Sequence, residues 1–176
     1  MSSKALFLDR DGVINLDHGY VHSIKNFDFI DGIFHLLTHA QEKNYLLIII
    51  TNQAGIGRGF YTEKIFKELT SWMCDQFSSK NIFITKVYHC ASHPIMGIGS
   101  YKKEDFRRKP SPGMILDAKK EFDIDLNASI LIGDKETDIK AGIAAGIPCN
   151  ILYNPDESLS NLDYSVSSLE KIKKYL

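Results

Sequence analysis

A doubly wound α/β fold built on a mainly parallel sheet is what this 176-residue sequence predicts. Three observations carry the prediction. Short apolar runs without a polar break, at residues 5–8 and 45–50, read as strands buried on both faces, the pattern of a parallel sheet, and Ile130–Ile132 continues the series. Segments with helical spacing lie between them, so strand and helix alternate along the chain. Each run also ends abruptly in polar residues, as strands do where a ligand crevice opens at their carboxyl ends.

The first strand, 5–8, runs straight into Asp9-Arg10-Asp11-Gly12-Val13. Residues two apart in an extended chain point the same way, so Asp9 and Asp11 share one side of the strand end. A polar and aromatic loop follows over 15–29. The spacing of Ile33, Leu36, Leu37 and Ala40 predicts a helix over 31–43 with Asp31 as N-cap. The second strand, 45–50, ends at Thr51-Asn52-Gln53, and the glycine-rich 54–59 is predicted to lack regular structure. Thr62 should cap a helix to about residue 77, with Ile65, Phe66, Leu69, Trp72 and Met73 as its apolar face. Residues 82–88 alternate as a third strand, and 89–109, with Pro94, Gly97, Gly99 and a basic cluster, reads as irregular. Pro110 and Pro112 introduce a helix over 113–122. A fourth strand over 129–132 ends at Gly133-Asp134. A small-residue helix over 135–145, a fifth strand over 148–153 and a tail helix over 168–175 complete the chain.

Composition narrows the class. The hydrophobic fraction of 44% and charged fraction of 24% are ordinary for a globular protein, and the length suits one domain spanning 1–176. A net charge of −1 gives no electrostatic reason to expect nucleic acid or an anionic membrane surface as partner. The longest apolar run, 45–50, is far too short to cross a bilayer. The brief apolar segment after Lys4 does not resemble a secretory signal. Cys74, Cys90 and Cys149 form no C-x-x-C pair, so reduced thiols in a cytoplasmic protein are expected.

The polar residues after strands one, two and four are Asp9 and Asp11, Thr51 and Asn52, and Asp134, and the fold class gathers them at one crevice edge. Alone, the Asp9–Gly12 stretch also fits a solvated strand-end turn. Facing carboxylates repel unless a cation or a proton lies between them. Asp9, Asp11 and Asp134 are hard oxygen donors suited to Mg²⁺ held with several waters. Thr51 offers a hydroxyl, and Lys109 can bring a positive charge to the same anion. Cation, lysine and donors together form the electrostatic clamp that phosphoryl transfer needs. A carboxylate nucleophile forming an aspartyl-phosphate is one known solution, with a second carboxylate moving the proton.

Asp9-Arg10-Asp11-Gly12-Val13, Thr51-Asn52-Gln53, Lys109-Pro110 and Gly133-Asp134-Lys135-x-x-Asp138 resemble, in order, the four motifs of the haloacid dehalogenase-like (HAD-like) phosphohydrolases. The resemblance covers residues 4–153 and implies a Rossmann-like core. It implies Asp9 as nucleophile, Asp11 as general acid/base, and Thr51 and Lys109 as stabilisers of the transferring phosphoryl group. Asp9, Asp134 and the backbone carbonyl of Asp11 would hold Mg²⁺. Asp138, one turn into its helix, is expected to orient Lys135 or a metal-bound water rather than to ligate directly. Residues 17–21, 51–59 and 107–114 further resemble the D-glycero-D-manno-heptose-1,7-bisphosphate 7-phosphatase family, to which the histidinol-phosphatases are related. That resemblance implies substrate contacts from Asp17, His18, Gly19, Tyr20, Asn52, Gln53, Ala54, Arg108 and Lys135. It implies a small-molecule sugar bisphosphate as partner and a place in making surface heptose such as that of lipopolysaccharide; a monomer is expected. Histidinol phosphate as substrate, or a phospho-ligand-binding module without catalysis, are the alternatives.

Residues 12–50 and 52–108 are mostly used by predicted helices and strands, so neither interval holds a separate cap domain of about 50–200 residues. Loops 15–29, 53–61 and 89–108 are left to supply specificity. The family usually carries a zinc site in the third loop, Cys-x-His and later Cys-x-Cys. Here the matching positions are Cys90, Ser92, Asp105 and Arg107. A tetrahedral zinc site needs four N or S donors, so zinc is not expected, and an Asp105–Arg107 or Glu104–Arg108 pairing is expected to close the loop. His35 and His39 have metal-compatible spacing but no acidic partner between them. Gly55, Gly57 and Gly59 lack the strand-turn-helix context of a dinucleotide site.

Overall fold

A computed structural model describes residues 2–155 and 165–176. Its strands are β1 (Lys4–Leu8), β2 (Tyr45–Asn52), β3 (Ile84–Cys90), β4 (Ile130–Gly133), β5 (Cys149–Tyr153) and β6 (Ser165–Val166). They form one sheet in the order β3-β2-β1-β4-β5-β6, parallel at every pairing. The helices are α1 (Ile33–Glu42), α2 (Ala54–Gly57), α3 (Glu63–Ser78), α4 (Gly113–Phe122) and α5 (Glu136–Ala145). The doubly wound parallel fold expected from the sequence is therefore the fold observed.

Alternation along the strands builds two apolar layers. Leu6 and Leu8 of β1, with Leu47, Ile49, Ile130 and Ile132, face α1, α3 and the 3-10 segment Leu169–Tyr175. Ala5 and Phe7, with Ile48, Ile50 and Leu131, face α4 and α5. Burying each such Leu or Ile side chain contributes about 1.5–3 kcal/mol, so β1 is clamped from both sides. Leu8 pairs with Ile49 on one flank and Ile132 on the other, which puts the ends of β1, β2 and β4 side by side.

Several boundaries differ from expectation, each for a local reason. Asp31 does not cap α1: Gly32 occupies that position at φ 83°, and no side chain caps the helix. Residues 54–57 form a helical turn, with Arg58 N–H donating to the Ala54 carbonyl, so tertiary packing overrides the poor glycine propensity. Thr62 does cap α3, accepting from the Ile65 N–H, but Ile65 is exposed and Phe77 completes the buried face. Ile82 is buried just ahead of β3, in a turn where its N–H donates to the Phe77 carbonyl, which starts the strand two residues late. The tail is 3-10 rather than α-helical, and β6 is too short to leave a periodic trace in sequence.

Candidate active site

The site opens where β1 ends. Asp9 extends the ladder by one residue, its N–H donating to the Ile132 carbonyl at 3.0 Å. Its carboxylate meets the ammonium of Lys109, 2.9 Å away. Lys109 is 3% exposed and fully engaged: its Nζ also lies 2.6 Å from Asp138 Oδ1 and donates to the Ile50 carbonyl at 2.9 Å. Asn52, at the end of β2, holds the lysine's main chain from both sides, donating to the Lys109 carbonyl (3.0 Å) and accepting from its N–H (3.1 Å). Burial opposes the ammonium charge, but the two carboxylates outweigh it and hold the Lys109 pKa above its usual value.

Asp11 sits beside this pair in a cage of donors. Arg10, buried behind it, approaches through Nη2 at 2.8 Å and also donates to the Val21 carbonyl at 2.6 Å. Asn15 Nδ2 donates to Asp11 Oδ1 and Gln53 Nε2 to Oδ2, each at 3.0 Å. The chain turns away at Gly12, whose φ of 92° favours glycine and whose Cβ, if it had one, would lie 2.2 Å from Asp134 Oδ2. Gly12 is what lets Asp134 close on Asp9.

Oxygens of Asp9, Asp134 and Asp138 lie within 4.8 Å of one another. Asp134 Oδ1 is buried with no hydrogen-bond partner among the described residues. Burial first, and then the neighbouring Asp9 charge, push the Asp134 carboxyl up to about 7. A cluster of hard oxygen donors that strains against its own charge fits an oxygen-preferring divalent cation such as Mg²⁺. Asp138 is 1% exposed and sits at the third position of α5, where its Oδ2 accepts from the Lys135 N–H at 3.0 Å while its Oδ1 serves Lys109. It is thus a partner of Lys109 as well as an orienter of Lys135.

The groups border a cleft of about 450 Å³. Asp9, Asp11, Thr51 and Lys109 line it, together with Asn52, Gln53, Ala54 and Arg108. Asp17, Gly19, Tyr20 and Lys135 line it as well. Lys135 Nζ bridges Asp17 (2.9 Å) and Asp134 (3.5 Å), and though burial opposes it, that lysine holds the Asp17 carboxyl below its usual range. Among the expected substrate contacts, His18 does not line the cleft; its Nε2 pairs with Asp28 at 2.7 Å. Tyr61, Thr137 and Asp138 line it although none was among the expected contacts. Tyr61 carried no motif signal, since it precedes the α3 cap as an ordinary apolar residue would.

The third loop is closed by contacts other than those expected. Ser92 Oγ donates to Asp105 Oδ2 at 2.9 Å, and Arg108 Nη1 donates to the Ser92 carbonyl at 3.1 Å. Asp105 Oδ1 accepts the backbone N–H of Arg107, whose side chain instead pairs with Asp117 at 2.7 Å. His89 Nε2 pairs with Glu63 at 2.8 Å.

Comparison with known proteins agrees with this geometry. Residues 106–157 match the HAD-hydrolase-like family model. The chain is 55% identical over 152 residues to the D-glycero-alpha-D-manno-heptose-1,7-bisphosphate 7-phosphatase of Burkholderia mallei, covering 86% of this chain and 80% of that one. It is 40% identical over 179 residues to the D-glycero-beta-D-manno-heptose-1,7-bisphosphate 7-phosphatase of Haemophilus influenzae, covering 99% and 97%. A solved D,D-heptose 1,7-bisphosphate phosphatase from B. bronchiseptica, complexed with magnesium and phosphate, shares the fold at a TM-score of 0.82 and 24% identity, over 98% of this chain and 97% of that one. With an ordered set of phosphatase motifs gathered at one cleft and identity of this extent, the chain belongs to the D-glycero-D-manno-heptose-1,7-bisphosphate 7-phosphatase family of HAD-like phosphohydrolases.

Proposed function

We propose that this chain hydrolyses the 7-phosphate of D-glycero-D-manno-heptose 1,7-bisphosphate through an aspartyl-phosphate, with Mg²⁺ as its metal. The observation that carries the reading is the convergence of Asp9, Lys109, Asp134 and Asp138 at the end of β1, with Asp11 and Thr51 on the same cleft. Asp9 and Asp134, with the backbone carbonyl of Asp11, would hold the cation, and Asp138 would keep Lys109 beside it. When bound, it supplies positive charge to the phosphoryl oxygens and relieves the repulsion among the carboxylates.

A carboxylate oxygen of Asp9 attacks phosphorus as the bond to the sugar O7 breaks, and Asp11 gives its proton to the departing alkoxide. Asp11 then takes a proton from water as that water attacks the aspartyl-phosphate, which frees inorganic phosphate and restores Asp9. Lys109 and the Thr51 hydroxyl face the phosphoryl oxygens throughout, where pre-placed donors need no reorganisation. Arg108, Asp17 and Lys135 offer charge to the rest of the sugar phosphate from the cleft lining. The relative at 55% identity, named for the alpha anomer, supports that anomer as the preferred form.

The hydrogen bonds among Ser92, Asp105 and Arg108 support a third loop that holds its shape without zinc. One sheet built from all six strands supports a single domain, for which we propose a monomeric, cytoplasmic state in keeping with the unpaired cysteines. None of the described helices is long and apolar enough to cross a membrane.

Phosphate release from both heptose bisphosphate anomers and from histidinol phosphate, with Mg²⁺ and no zinc, tests the reading. Heptose bisphosphate should lead histidinol phosphate by about 100-fold or more in kcat/KM, and Asp9→Asn should abolish turnover. Equal or better use of histidinol phosphate would reassign the substrate, and turnover surviving in Asp9→Asn would reject the nucleophile.

A further inference from the structure

Gln53 stands between the proposed general acid/base, Asp11, and the phosphoryl-facing Thr51. It is 2% exposed, and its Nε2 donates both to Thr51 Oγ1 at 2.8 Å and to Asp11 Oδ2 at 3.0 Å. A side-chain amide has donors only on nitrogen and acceptors only on oxygen, so a half-turn would aim the oxygen at a carboxylate and at the threonine hydroxyl. The orientation has a consequence for Thr51. With its oxygen already accepting from Gln53, the hydroxyl keeps its own proton for an acceptor in the cleft.

The other end of the amide meets Tyr61, whose hydroxyl donates to Gln53 Oε1 at 2.5 Å. Tyr61 is 5% exposed, and burial pushes its phenol up to about 12, so it remains a donor. The ring is held by close neighbours. It stacks on His22 with centroids 4.9 Å apart and planes 8° from parallel, and His22 Nδ1 is anchored 2.6 Å from the Tyr20 carbonyl. Gly55 also lies against it, where a Cβ would come within 2.3 Å of the ring. A bare hydrogen on α2 is what admits the phenol to this slot.

We infer that Tyr61 is a positioning residue for catalysis, its hydroxyl holding the Gln53 amide in the orientation that donates to Thr51 and Asp11 together. The inference rests on the roles proposed above for those two residues. Without the phenol, Oε1 is a buried acceptor that has lost the donor aimed at it, and the amide turns to recover one, leaving Thr51 and Asp11 less well aligned.

A double-mutant cycle on Tyr61→Phe and Gln53→Ala, read as Mg²⁺-dependent phosphate release from heptose 1,7-bisphosphate, tests this. Tyr61→Phe should lower kcat about 3- to 10-fold with KM within about 2-fold, and should have no further effect on kcat in the Gln53→Ala background. Wild-type kcat in Tyr61→Phe, a loss confined to KM, or the same factor lost in both backgrounds would each overturn the inference. Exchange of the Gln53 side-chain amide protons, followed by NMR, reads the lock independently of turnover: slow in wild type and fast in Tyr61→Phe if the inference holds, unchanged if it does not. A wild-type chain that released no phosphate would defeat the proposed function, while the amide signal would still judge the lock.

Discussion

Lys109→Met removes the one cation that, among the described residues, pairs with both Asp9 and Asp138, and its cost follows from the contacts. Methionine fills much of the lysine's volume, so the loss is electrostatic rather than a cavity. It leaves two carboxylates, formerly 2.9 and 2.6 Å from one ammonium, buried without their partner. Breaking a buried ion pair from one side costs about 3–5 kcal/mol. At about 2.1 cal/mol/K of unfolding entropy per residue, 176 residues turn that into a fall of roughly 8–14 °C in Tm. Urea unfolding and thermal melts in chelator, which keeps added cation from substituting for the lysine, measure it. Adding Asp138→Asn should return about half the loss, because one of the two stranded charges is gone. Stability within about 1 kcal/mol of wild type for Lys109→Met, or further loss in the double variant, would refute the reasoning.

Other outcomes follow from the same cluster. The folded Asp134 carboxyl, at about 7, lies above its ordinary 3.8, so between these values the folded state binds the extra proton and metal-free stability falls as pH rises through that window. At about 1.4 kcal/mol per pKa unit the ceiling is about 4 kcal/mol, and coupling to Asp9 with 17% exposure of the side chain reduces it to about 2 kcal/mol. Urea unfolding in chelator from pH 4 to 8 should show that slope, Asp134→Asn should flatten it, and Mg²⁺ should remove it by favouring the ionised form. Gly12→Ala should cost about 1–3 kcal/mol in urea unfolding and at least about 100-fold in Mg²⁺-dependent phosphate release, because the new methyl takes the space of Asp134 Oδ2 at a φ of 92°.

The reaction centre was more legible in the sequence than its surroundings, for physical reasons. Asp9, Thr51 and Asp134 could be read because each follows an uninterrupted apolar run, and strand ends in a parallel sheet share an edge. Lys109 could be read from its motif, but that its ammonium would bind Asp138 could not. Helical spacing puts Asp138 one turn into α5 and does not say that capping the Lys135 N–H would turn it inward. His18 and Tyr20 flank Gly19, yet only Tyr20 lines the cleft, while His18 pairs with Asp28 across the loop. A contact ten residues away within an irregular segment has no periodicity to betray it. Tyr61 is silent for the same reason, since its importance lies in a hydrogen bond to an amide at the other end of its own loop. Asp31 and the start of β3 were misjudged by local preference, which packing at Gly32 and Ile82 overrode.

The position of β1, hydrogen-bonded along both flanks at the middle of the sheet, separates two tasks. Interior strands open last when a protein breathes, so Asp9, the proposed nucleophile, is anchored in the part of the chain least given to excursions. Asp17, Tyr20 and Arg108, proposed above to face the rest of the substrate, sit on rim segments that the sheet does not need for its integrity. Exchanging those segments between relatives should therefore retarget the enzyme while its reaction stays intact, whereas slipping β1 by one residue would end the reaction for every substrate at once.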